Sequence, residues 1–209
     1  RFEKEIRLSK SSPHICLIHP ENACMANRCS ALAAYYPTGL HGRPGEPGVK
    51  LQEIPDLSLW QIAGWPDTME LIHLAITDGM NSDRLPAGRA LAGSKGVAFQ
   101  VEPLKFWLLA EAPPVFNQTD GVILDLSHSR TQIRISGPEA QTCLSRLLPL
   151  DLRDHSFPQN AVASSGIHHV GITLWRSELG FELFIPRGFA RSIWELLLET
   201  AEQFGSEVI

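Results

Sequence analysis

The stretch Val122-Ile123-Leu124-Asp125-Leu126-Ser127-His128-Ser129-Arg130-Thr131-Gln132-Ile133-Arg134-Ile135-Ser136-Gly137-Pro138 decides the fold class. Val122, Leu124 and Leu126 alternate with neighbours of the other parity, the period of a strand with one buried face. Ile133 and Ile135 alternate with Gln132 and Arg134 on a second strand. Pro138 then opens a helix that carries Ala140, Cys143, Leu144 and Leu147 on one face. Beyond a loop with Pro149 and Pro158, Val170, Ile172 and Leu174 mark a third strand. Gly180 turns the chain into a fourth, with Phe181, Leu183 and Ile185. Ala190, Ile193, Trp194, Leu197, Ala201 and Phe204 recur at helical spacing over residues 189–204, and Gly205 stops that helix. The order β-β-α-β-β-α predicts an α+β domain: antiparallel sheets with helices on one face and the other face open to solvent or a partner.

Working upstream, residues 49–54 alternate apolar Val49 and Leu51 with polar Lys50 and Gln52, and residues 57–65 form a second strand after the Pro55-Asp56 turn. Pro66 suits the first turn of a helix, with Asp67 near its positive end and Met69, Ile72 and Ile76 as its apolar stripe. Gly79 ends that helix, and a polar loop is expected from there to Gly96. Short strands follow at residues 97–101 and 106–110, before Pro113-Pro114 breaks the chain. The expected organisation is an extended N-terminal arm, residues 1–48, and a domain, residues 49–209, with sub-units 49–112 and 120–205. In the arm, Gly39, Gly42, Gly45 and Gly48 recur every third residue among Pro37, Pro44 and Pro47. Four glycines are too few for a collagen helix, so an irregular connector is expected. Its Ile15, Leu17, Ile18, Leu32, Tyr35 and Tyr36 are not the composition of a free tail. The arm is therefore expected to order on another surface, first a partner subunit and second its own domain.

Composition narrows the function classes. Hydrophobic residues make up 44% of the 209, which suits a globular chain. A net charge of -5 offers no basic field to nucleic acid or an anionic membrane. No apolar run reaches the roughly 18 residues of a spanning helix, so no membrane partner is expected. Arg1-Phe2-Glu3-Lys4-Glu5 does not read as a secretory leader. Cys16, Cys24, Cys29 and Cys143 make no disulfide framework in a chain of this length, and cytoplasm is the expected compartment.

Four constellations could carry chemistry. His14, Cys16, His19, Cys24 and Cys29 bring thiols and imidazoles together, as zinc prefers, but Cys16 and Cys24 stand too far apart for the common knuckle. Residues 88–95, Gly-Arg-Ala-Leu-Ala-Gly-Ser-Lys, invert the last two positions of a phosphate-binding loop and lead into a strand, where such a loop opens a helix. His168 and His169, read as strand neighbours, point to opposite faces, one half-buried and one exposed. Asp125, Ser127 and His128 have the residue types of a nucleophilic triad, but no G-x-S-x-G elbow surrounds Ser127, and a turn held by side-chain to backbone hydrogen bonds is expected. No G-x-G-x-x-G fingerprint and no H-E-x-x-H is present. Catalytic, cofactor-binding and metal residues are thus expected to be absent from this chain. Arg187 and Arg191, at the start of the last helix where cations are disfavoured, are the candidate interface residues.

Residues 124–130, Leu-Asp-Leu-Ser-His-Ser-Arg, followed by Ile133-Arg134-Ile135-Ser136-Gly137-Pro138, resemble the gamma subunit of heterotetrameric sarcosine oxidase. So do Leu150-Asp151-Leu152, Phe157-Pro158, Pro186-Arg187-Gly188-Phe189-Ala190, the strand around Phe106-Trp107-Leu108-Leu109, and upstream Glu53-Ile54-Pro55-Asp56-Leu57-Ser58-Leu59 with Gln61-Ile62-Ala63. The resemblance runs from about Gly48 to Gly205. It implies a fold similar to the folate-binding part of aminomethyltransferases, the T-protein of glycine cleavage, over residues 49–209. It also implies a non-catalytic subunit whose partners are alpha-, beta- and delta-type chains. FAD, FMN, NAD, tetrahydrofolate and zinc are then expected on those partners, with none in this chain. Exposed aromatics such as Trp107, Phe116 and Trp175 would suit such contacts. The small subunit of N-methylglutamate dehydrogenase is the alternative, as is a stand-alone folate-binding module. The T-protein has an Asp-Asp pair where this chain has Ile167-His168-His169-Val170-Gly171-Ile172, without a carboxylate, which speaks against aminomethyl transfer here.

Overall fold

Alternating apolar strands and three helices resolve into stacked layers in the computed structural model, which describes residues 29–80, 82 and 84–209. His14, Cys16, His19 and Cys24, and with them Ile15, Leu17 and Ile18, lie outside the described residues. In chain order the strands are β1 (Gly39–His41), β2 (Val49–Ile54) and β3 (Leu59–Gly64). Helix α1 (Met69–Thr77) follows, then β4 (Ala90–Gly93), β5 (Gly96–Glu102), β6 (Lys105–Leu109), β7 (Gly121–Asp125) and β8 (Arg130–Ser136). Helix α2 (Ala140–Leu144), β9 (Val162–Ile167), β10 (Val170–Ser177), β11 (Gly180–Pro186), α3 (Ala190–Glu202) and β12 (Ser206–Val208) complete the order. A seven-stranded sheet runs β1-β12-β2-β8-β11-β10-β9, and a five-stranded sheet runs β4-β5-β6-β3-β7.

Period two explains both faces of the larger sheet. Leu51, Ile133, Ile135, Leu183, Ile185 and Leu174 share one face and are buried against α2 and α3. The expected stripe of α3 is the buried one: Ala190, Ile193, Trp194, Leu197 and Ala201. The opposite face is not open, as expected from the sequence, but covered by the smaller sheet. Phe184 from β11 meets Phe99 of β5 at 5.8 Å and Trp107 of β6 at 5.9 Å between ring centroids. Trp107 is therefore buried, and Phe116 and Trp175 are partly buried, which corrects their reading as exposed aromatics. On the far side of the smaller sheet, Ile62, Ala98, Phe106 and Leu108 pack on Ile72 and Ile76 of α1. The molecule is α+β as expected, with one departure from antiparallel order: β12 pairs with β2 in parallel.

Other local expectations shift for physical reasons. The turn at Trp65–Thr68 precedes α1, so the helix begins at Met69 and not at Pro66. The polar loop before Gly96 contains β4, whose Ala90 and Leu91 pair with Phe99 and Ala98. Val122 and Leu124 keep the predicted alternation but lie on an edge strand and are each 52% exposed. The sheets exchange strands across the expected division of 49–112 from 120–205: β2 joins the larger sheet and β7 the smaller.

Residues 29–48 pack on their own domain, which corrects the preference for a partner surface over that part of the arm. Leu32 is fully buried in the core beneath α3. Tyr36 stacks on Trp194 at 5.0 Å, its hydroxyl donates to the Ile209 carbonyl at 2.5 Å, and it accepts from the Glu53 amide at 2.7 Å. Trp194 Nε1 donates to the Tyr35 carbonyl. The Arg43 amide caps the Glu202 carbonyl at the end of α3. That approach requires glycine at 42, where φ is +77° and a Cβ would stand 2.1 Å from the same carbonyl oxygen.

A buried carboxylate organises the inner face of the larger sheet. Glu182 is fully buried and accepts hydrogen bonds from Arg134 Nε at 2.6 Å, Gln132 Nε2 at 2.8 Å and Ser177 Oγ at 2.9 Å. Cross-strand register places Arg134 directly opposite Glu182. Removing one member of such a set leaves the others desolvated without partners. Glu182→Ala should therefore destabilise the chain by about 3 kcal/mol, read as a lower urea midpoint, while Arg134→Met with Glu182→Leu together should cost less than Glu182→Ala alone.

His73 gives a second test. Its ring lies edge-on to Phe106 at 5.0 Å and its Nδ1 faces the Leu85 amide. Burial lowers its pKa below 6.5, reinforced by Arg84 and opposed by Glu70. The folded state then favours neutral His73, so its contribution is complete above pH 6.5 and declines as pH falls from there through the lowered value. Thermal midpoints should drop over that window, and His73→Phe should flatten the drop relative to the parent chain.

Candidate functional site

The two sheets splay apart beside the aromatic layer, and the cleft between them is the site of interest. Gln61, Trp107, Arg130, Ser164, Thr173 and Phe184 are among its lining residues, and its volume is about 230 Å³. β3 and β6 bring Gln61 opposite Trp107, whose indole N–H donates to Gln61 Oε1 at 3.2 Å. β9 and β10 bring Ser164 opposite Thr173 on the same face. Arg130 stands where the chain crosses from β7 in one sheet to β8 in the other, its guanidinium 5.5 Å from the Trp107 ring centroid. Burial lowers the Arg130 pKa. Glu102 also lines the cleft and is paired with Lys105 at 2.8 Å.

Gly171, in the stretch where the resemblance sets a carboxylate, lines this cleft on β10. A Cβ there would meet no atom within 4 Å, so the absence of a side chain is not forced by crowding. A cleft of this volume lies below the roughly 300–1,000 Å³ of small-molecule pockets. With Phe99, Trp107, Trp175 and Phe184 closing the layer behind it, it does not fit a pteridine with its aryl tail.

The sequence-derived constellations fall elsewhere. His168 and His169 form the turn between β9 and β10 and both are exposed, His168 with φ of +52°. This corrects their reading as strand neighbours with one half-buried. Residues 88–95 are β4 and its turn, with no helix after them, and Lys95 pairs with Asp78. Asp125 Oδ1 accepts from the Ser127 amide at 2.8 Å, and Ser127 Oγ accepts from the Leu59 amide at 3.0 Å, while His128 is exposed. That is a side-chain-stabilised turn, as expected, and not a triad. Cys143 is buried in α2 with its thiol pushed up to about 11, which suppresses thiolate chemistry. Among the described residues no group of His, Cys, Asp and Glu is arranged to hold a metal ion. No helix among them is long and apolar enough to cross a membrane.

Arg187 and Arg191 both find partners within the chain. Arg187 Nη2 donates to the Cys29 carbonyl at 2.5 Å. Arg191 pairs with Glu195 at 2.8 Å and lies 4.1 Å from the Tyr35 ring centroid. Arg130, quoted in the sequence only as part of a motif, is the residue that sequence reasoning missed. Its position depends on Trp107, 23 residues upstream on another sheet, and no local pattern announces that contact.

With this geometry in view, comparisons place the chain among known proteins. It is 28% identical over 103 residues to the sarcosine oxidase gamma subunit of Corynebacterium sp. strain P-1, covering 49% of this chain and 51% of that one. It is 26% identical over 174 residues to the gamma subunit of Corynebacterium sp. strain U-96, covering 78% and 83%. An aminomethyltransferase of Desulforamulus reducens is 28% identical over 168 residues, 69% of this chain but 45% of that enzyme. The fold also matches a chain of the heterotetrameric sarcosine oxidase of Corynebacterium sp. U-96, solved with pyrrole 2-carboxylate, at TM-score 0.70 and 24% identity over 85% of this chain and 96% of that one. The GCVT N-terminal domain family matches residues 103–209, just over half of the chain. These residues carry β6 to β12, among them five of the seven strands of the larger sheet, and the chain belongs to the GCVT N-terminal domain family.

Proposed function

We propose that this chain is the gamma-type, non-catalytic subunit of a heterotetrameric, flavin-dependent oxidoreductase of the sarcosine oxidase type. The observation that carries this reading is the coverage. The similarity extends over 83% of one sarcosine oxidase gamma subunit and 96% of the matching chain in a solved oxidase, but under half of an aminomethyltransferase. In this reading, oxidation of an N-methyl amino acid and transfer of its methylene group to tetrahydrofolate occur on alpha- and beta-type subunits. FAD, FMN, NAD, tetrahydrofolate and the zinc of a delta-type subunit belong to those partners, in the cytoplasm.

Two features of the chain support it. Gly171 leaves the inter-sheet cleft without a carboxylate on β10, so the aminomethyltransferase reaction lacks its base there. Apolar side chains are exposed on α1 at Leu71 and Leu74, beside them at Val115, and on β7 at Val122 and Leu124. Such surface suits a chain that buries area against partners.

The test is assembly. Purified alone, the chain should be colourless and inactive toward sarcosine. Co-expressed with alpha-, beta- and delta-type subunits, it should co-elute with them at fixed stoichiometry. A retained flavin band in the isolated chain, or failure to co-elute, would remove the proposal. Arg187 has four guanidinium N–H donors beyond the one given to Cys29, whereas Arg191 is engaged by Glu195 and Tyr35. Arg187→Ala should weaken assembly about tenfold without lowering the thermal midpoint of the free chain, in line with loss of one charge-assisted contact. Arg191→Ala should leave assembly within about twofold, as for a solvent-exposed pair.

A further inference from the structure

Arg130 is a half-buried cation without a counter-ion. No Asp or Glu among the described residues lies within ion-pair distance of it, although nine other ion pairs are formed there. Its side chain makes one hydrogen bond among the described residues, from Nη1 to the adjacent Ser129 carbonyl at 3.2 Å, so most of its five donors are unspent. The ring of Trp107 beneath it offsets part of the desolvation but satisfies none of the N–H groups.

The groups around Arg130 are matched to it in kind. An indole N–H only donates, so the bond from Trp107 fixes the Gln61 carbonyl oxygen on that side and leaves the Gln61 amide NH2 to donate. Thr173 is buried, and neither its hydroxyl nor that of Ser164 opposite has a partner among the described residues. The Glu102 carboxylate at the cleft is neutralised by Lys105. One positive charge without a counter-ion therefore shares a cleft with three neutral groups able to donate to an acceptor. The wall is completed by Trp107 and Phe184, which are apolar.

We infer that the cleft between the two sheets binds a small carboxylate. Arg130 takes the carboxylate through two parallel N–H···O bonds, and Gln61, Ser164 and Thr173 supply the remaining donors. Trp107 and Phe184, both buried, form the floor beneath the ligand. About 230 Å³ limits the ligand to a small molecule. The site is built wholly from this chain, and its test uses this chain alone.

Benzoate and acetate are the probes, titrated into the full chain and followed by tryptophan fluorescence and calorimetry, with sodium chloride at equal ionic strength as reference. Saturable one-to-one binding of benzoate, with acetate weaker, is expected. Arg130→Gln should weaken benzoate binding about tenfold or more, as expected for loss of a charged hydrogen-bonding partner. Arg130→Lys should retain part of it, since a point charge replaces a fork. Because Arg130→Gln also removes the contact with Trp107, Gly171→Leu provides a second route. Its Cβ enters open space, so the fold should keep a cooperative thermal transition while the cleft is filled and binding is lost. Arg153→Gln, on a surface loop where Arg153 pairs with Asp151, should bind as the parent does. Absence of saturation, equal competition by chloride, or unchanged binding in both Arg130→Gln and Gly171→Leu would overturn the inference.

Discussion

The contact of Phe184 with Phe99 and Trp107 is the joint on which the structure depends. Each sheet has two faces to cover, and helices cover only one of each. These three rings are the centre of the apolar cluster, with Leu57, Leu59, Leu126 and Val162 around them, that buries the inner faces against each other. The rings also set the separation of the sheets. Where they fill the space it is dry and closed, and where β3, β8 and β10 diverge beyond them it becomes the cleft that holds Arg130. Packing and candidate chemistry thus share one origin.

Much of this architecture could be read from the sequence. Period two at Ile133 and Ile135, and at Leu183 and Ile185, gave true faces because those strands are central and one side of each is wholly apolar. The same period at Val122 and Leu124 was correct about the strand and wrong about burial, since alternation does not reveal which strand lies at an edge. Ala90-Leu91-Ala92-Gly93 was invisible as β4: it is short, has weak β-propensity, and pairs only because β5 presents an edge. His168 and His169 carry no glycine or asparagine to announce a turn, yet histidine is among the residues that tolerate positive φ.

The candidate site was legible in one half. Residues 167–172 drew notice for a carboxylate they lack, and Gly171 does line the cleft. The other half needed two sheets to face each other, which brings Gln61, Trp107, Arg130 and Thr173 together from four strands. No spacing rule spans such distances. The described part of the arm is committed to Trp194 and to the end of α3, so in the proposed complex α1 and β7 become the faces left for other subunits.

The parallel strand β12 has a consequence for the order of events during synthesis. Among the described residues β1 has β12 as its sole neighbour, pairing His41 with Ser206, so that edge waits for some 165 residues of chain to emerge. At roughly 5–20 residues per second, the wait is on the order of 10–30 seconds. During that interval the open flank of β2 offers unpaired amides and carbonyls to any passing nascent chain. β12 follows α3 in the chain and lies between β1 and β2, which makes closure of that flank a late, non-local step. The flank of β2 thus stays an open pairing edge until nearly the whole chain has been made.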